Sequence, residues 1–119
     1  MDKLRKKELQ QQYMNAKHPM GIFIVRNSLN NKVHIQATPD LRGVMNGTRV
    51  KLGYGRHPVR ELQKDWNELG GENFSIEILE HLQYDERDQD KSDYSEELQL
   101  LQLLWEEKLT LENLVFYKR

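Results

Sequence analysis

The sequence has no cysteine, only three prolines and no long apolar run, and each shortage removes a class of protein. Without cysteine there is neither a disulfide frame nor a thiolate metal site, and a reducing cytoplasm is the expected setting. The longest apolar run, Ile22-Phe23-Ile24-Val25, falls far short of the roughly 20 residues that span a bilayer, so no membrane partner is expected. The opening Met1-Asp2-Lys3-Leu4-Arg5-Lys6-Lys7 leads into glutamines, not into the apolar stretch of a secretion signal. A length of 119 residues suits one ordinary domain with a single core.

Excess charge is also missing: the net value is -1, which argues against a protein that coats nucleic acid by bulk positive charge. The average hides a division. Arg42, Arg49, Lys51, Arg56, Arg60 and Lys64, with His57 among them, face one acid, Glu61; from Glu68 to Glu97 acids dominate. The basic stretch reads either as a solvated face or as a patch for phosphate.

Helix-forming Lys and Gln residues with Leu4, Leu9 and Tyr13 predict an N-terminal helix that Pro19 stops. Met20 to Arg26 is apolar on both alternating faces, as a strand covered on both sides must be. Asn30-Asn31 supplies a turn, and Lys32 to Ala37 alternates, with Val33 and Ile35 on one face and His34 and Gln36 on the other. Thr38-Pro39-Asp40 is expected to cap a short helix towards Asn46, followed by an irregular glycine-containing loop to His57. Pro58 begins a helix with Val59, Leu62, Trp66 and Leu69 as its stripe, ended by Gly70-Gly71. Phe74, Ile76 and Ile78 mark a third strand, and Tyr84 to Lys91 an exposed acidic loop. Ser92 or Asp93 is expected to cap a last helix with Leu98, Leu101, Leu104, Trp105 and Leu109 inside, and Thr110 to open a short final turn. The class is α+β: a small three-stranded antiparallel sheet flanked by helices, with an extra N-terminal helix.

Gly21-Ile22-Phe23 on the first strand and His34-Ile35-Gln36 on the second, with the intervening spacing, resemble the two signature triplets of the GIY-YIG nuclease superfamily. His57 to Gly70 followed by Glu72 to Glu80 is similar to the helix and third strand of its homing-endonuclease-like branch. The resemblance covers about half the chain and implies a 1–19 helical extension before a 20–119 GIY-YIG-like domain. It also implies cleavage of phosphodiester bonds with a divalent metal held by a helix glutamate, a tyrosine near the attacking water, and arginine or histidine against phosphate.

On that pattern the first tyrosine is Phe23, which has no hydroxyl, and the second is His34, a titratable group. Gln36 replaces a glycine, the family arginine falls on Val44 with Arg42 nearby, and the metal glutamate falls on Gln102. An amide is a poor ligand for a hard cation. The leading expectation is therefore a catalytically impaired protein in nucleic-acid binding or regulation, holding DNA or RNA with Arg42, Arg49, Lys51, Arg56, His57 and Arg60, and without a cofactor. The alternative is an active endonuclease in which His34 is the base, Arg42 or Arg49 meets phosphate, and Glu97 or Glu106 holds Mg²⁺ or Mn²⁺. A third reading is a protein-interaction module, with a protein partner or homodimer engaged through the acidic segment or the N-terminal helix.

Overall fold

The computed structural model describes residues 17–119. The expected N-terminal helix, and with it most of the 1–19 extension, lies outside the described residues. The elements are, in chain order, β1 (Met20–Asn27), β2 (Lys32–Thr38), α1 (Leu41–Gly53), α2 (Arg60–Leu69), a 3₁₀ turn, β3 (Phe74–Leu82), α3 (Ser95–Leu111) and β4 (Val115–Phe116). The sheet order is β3-β1-β2-β4, so the twice-apolar β1 is central as its composition requires.

Two cores result. Phe23 and Val25 point to one face, where they meet Leu41 and Leu52 of α1, Leu62 of α2, and Tyr117. Ile22 and Ile24 point to the other, with Val33 and Ile35 of β2 and Leu101 and Leu109 of α3. Antiparallel register sets Val25 opposite His34 and Phe23 opposite Gln36, which puts His34 and Gln36 on the α1 side of the sheet. At Gly21 a Cβ would overlap the Glu80 carbonyl oxygen of β3, so the glycine permits a close backbone approach. A bulge beside it, between Ile22 and Phe23, shifts the β1–β3 register. It turns Leu82 to the α3 side, into contact with both of the apolar clusters found there.

The structure corrects several expectations. The sheet has four strands: β4 pairs in parallel with β2, where a short final turn was expected. Helix α1 runs through Gly47 to Gly53, replacing the predicted loop, because burial of Leu41, Thr48 and Leu52 outweighs a glycine cost of about 1 kcal/mol. Its cap is Asp40, whose carboxylate accepts from Gly43 N, while Thr38 Oγ1 accepts from Asp40 N. Helix α2 starts at Arg60 because His57 and Val59 form a side-chain-bonded turn before it. Helix α3 starts at Ser95, with Asp93 Oδ1 accepting from Ser95 N just outside it. Leu104, expected inside, is 55% exposed: the buried face runs through Leu98, Leu101 and Leu109. Among the described residues no helix is long and apolar enough to cross a membrane.

Candidate functional site

On the α1 side of the sheet, a cleft of about 570 Å³ opens between β2, α1, the turn before α2, and α3. Each wall follows from local geometry. Strand alternation gives His34 and Gln36. Val44, Gly47, Thr48 and Lys51 come from α1 at spacings of three and four, one helical stripe. His57 precedes α2, Gln102 projects from α3, and Arg119 arrives beyond β4.

The two histidines meet edge to face, with ring centroids 5.6 Å apart. His34 is 6% exposed, and burial, reinforced by His57 and Arg119, pushes its pKa down to about 4. His57 is lowered too, first by burial and then by the Lys51 charge. Both rings are therefore neutral at neutral pH. Val59 N donates to His57 Nδ1, which leaves Nε2 as the protonated donor of that ring. Gln63, buried on α2, fixes the turn: its Oε1 accepts from His57 N and its Nε2 donates to Leu52 O at the end of α1.

Gln102 is occupied at both ends. Its Oε1 accepts from Ala37 N at 3.3 Å, and its Nε2 donates to Glu106 Oε1 at 3.2 Å. Arg119 Nη2 donates to Ile35 O at 3.1 Å and lies 3.6 Å from Glu106 Oε1. Glu106 belongs to an adjoining depression that shares Gln102 and Arg119 with the cleft. Among the described residues no carboxylate lines the cleft itself, and no group of three or more His, Asp or Glu is placed to hold a metal ion. Carboxylates are the ligands a hard divalent cation prefers, and the one in the adjoining depression, Glu106, lies 3.6 Å from a guanidinium. The donor set does not fit Mg²⁺.

Of the residues selected from sequence, the cleft unites His34, Lys51, His57 and Gln102, and Val44 and Gln36 line it as well. Phe23 is enclosed in the core and does not reach it. Arg42 lines a separate depression with His18, His81 and Tyr84. Arg49 reaches towards Ile76 O on β3 at 3.4 Å. Arg56 and Arg60 share a shallow depression around the corner, joined to the cleft through His57. Glu97 is held by Lys91 at 3.0 Å and lines neither the cleft nor the depression beside it. Arg119 was missed. Its signal was the apolar and aromatic run Leu114 to Tyr117 after Asn113, a strand pattern whose alternation puts 117 and 119 on one face.

No family model matches the sequence, and a comparison with curated proteins finds no match either. Among solved structures, the catalytic domain of the homing endonuclease I-TevI is similar at 25% identity, over 76% of this chain and 88% of that one, with a TM-score of 0.62. A mutant of the catalytic domain of the intron endonuclease I-TevI aligns at 30% identity over 58% of this chain and 70% of that one, with a TM-score of 0.49.

Proposed function

Because the chain has the fold of the GIY-YIG nucleases, we propose that it binds the phosphodiester backbone of nucleic acid, DNA in the first instance, and has lost efficient metal-dependent hydrolysis. The observation that carries this reading is the makeup of the cleft, where Lys51 and Arg119 are the charged groups and the candidate metal position holds the doubly bonded amide of Gln102. Cations and neutral N–H donors suit a phosphate diester. His34 is too weak a base at neutral pH to replace a proton-moving tyrosine efficiently, because catalysis favours a pKa near the working pH.

Lys51, His57 and Arg119 form the floor of the interface, and Arg56 and Arg60 extend it along the strand of a longer ligand. Neutralising each phosphate lowers the slope of log K against log salt by about 0.9. Fluorescence anisotropy with a labelled duplex, measured across a salt series, is expected to give a slope steeper than about -2. Plasmid incubated with the protein and Mg²⁺ or Mn²⁺ is expected to stay intact. Absence of binding at low salt would remove nucleic acid from the account, and nicking that His34→Ala abolishes would restore the nuclease.

A further inference from the structure

The charge that a divalent metal would bring to a phosphate site has a protein-borne counterpart in this cleft. We infer that the Arg119 guanidinium takes the place of the metal: it is the fixed positive charge on which a phosphate of the ligand docks, ligand binding needs no divalent ion, and Glu106 competes with the ligand for it. This rests on the proposed binding of nucleic acid.

The backbone that delivers Arg119 is held on both sides. Tyr117 N donates to Val33 O at 2.9 Å. The Tyr117 hydroxyl accepts from Asn27 Nδ2 at 3.0 Å and donates to Asp65 Oδ2 at 2.8 Å. Tyr117 is fixed in the core on the α1 and α2 side, and Arg119, two residues on, lines the cleft on that side. Its bond to Ile35 O then points the guanidinium back across β2. A guanidinium carries five N–H donors in a planar fork, and that bond uses one. Its contact with Glu106, at 3.6 Å, is longer than a direct charge-assisted hydrogen bond. The side chain is 55% exposed, so donors remain for an incoming oxyanion.

The surroundings favour an anion. Arg119 shares the cleft with Lys51 on α1, the neutral rings of His34 and His57 and the amides of Gln36 and Gln102, and shares the adjoining depression with one side-chain carboxylate, Glu106. A divalent cation placed there meets two positive side chains and a single side-chain carboxylate, Glu106, which already accepts from Gln102 Nε2. A phosphate diester meets the reverse: Arg119 and Lys51 across the cleft and the Nε2–H of His57 between elements. Arg119 also lowers the pKa of His34, which places its field inside the cleft.

The test uses the full chain and a labelled duplex, read by anisotropy in EDTA and in Mg²⁺. The affinity in EDTA is expected to be at least that in Mg²⁺, which as a counterion can only compete for the phosphates. Arg119→Ala is expected to weaken binding by about tenfold or more, as loss of a charge-assisted hydrogen bond does, and to reduce the salt slope by about 1. Glu106→Gln is expected to tighten binding by a few fold. Binding that requires the metal, or Arg119→Ala binding as tightly as the wild type, overturns the inference. A parallel titration with inorganic phosphate, read from the imidazole NMR signals of His34 and His57, stands apart from the duplex. If the duplex does not bind at all, the nucleic-acid reading falls, and the titration still decides. Shifts that Arg119→Ala abolishes uphold the anchor; equal shifts, or none, overturn it. Circular dichroism of each variant checks that the fold is kept.

Discussion

Lowering the pH should destabilise this protein through His34. Above pH 6.5 the imidazole is neutral whether the chain is folded or not, and it carries no penalty. Between 6.5 and about 4 the unfolded chain binds a proton that the buried ring refuses, so stability falls as the pH falls, and the loss is complete below about 4. At about 1.4 kcal/mol per pH unit the full effect is about 3 kcal/mol, a substantial part of the 5–15 kcal/mol that holds a typical domain together. Its causes are burial first, then the His57 ring and the Arg119 charge. His57, also lowered, adds to the loss in the same direction. The readout is therefore a difference: urea unfolding of the wild type and of His34→Gln between pH 7.5 and 4.5. The wild type should lose about 2.5 kcal/mol more than the variant over that range. An NMR titration that places the His34 pKa near 6.5, or parallel stability curves for the two proteins, would refute the argument.

Gly21→Ala drives a Cβ into the Glu80 carbonyl oxygen and should cost about 2–4 kcal/mol, read as a drop in the urea midpoint. Tyr117→Phe removes the hydroxyl between Asn27 and Asp65 and should cost about 1–3 kcal/mol in thermal unfolding, through the partners left behind. Gln102→Glu puts a second carboxylate beside Glu106, so it should lower the melting temperature in EDTA. Mg²⁺ or Mn²⁺ should then raise the melting temperature of the variant and leave the wild type unchanged; equal responses would show that the amide is not what excludes the ion.

The sheet centre was legible because its signals are local. Two apolar faces on β1, alternation on β2 and a three-and-four stripe on α2 each lie within a few residues, and register then follows from the hairpin turn. The edge was not. β4 is two residues long, and the apolar run around it does not say which strand it joins: Val115 and Phe116 pair with Lys32 and Val33 across most of the chain. Missing β4 meant missing Arg119.

The basic stretch divides for one geometric reason. With α1 ended at Asn46, the residues from Gly47 to His57 have no common direction, and Arg49, Lys51 and Arg56 look equivalent. Once the helix runs to Gly53, each residue turns by about 100°, and the positions separate. Val44, Gly47, Thr48 and Lys51 share the face that lines the cleft. Arg42 and Arg49, seven apart, share another that turns away from it. The gapless comparison puts the family arginine on Val44, and Val44 lies on the wall of the cleft. An apolar residue stands on that wall, the helix offers Lys51 two turns later, and the guanidinium reaches the cleft from a different element. The cleft is therefore legible from sequence only as far as its helices are given their full length, and its guanidinium only when the far edge of the sheet is in place.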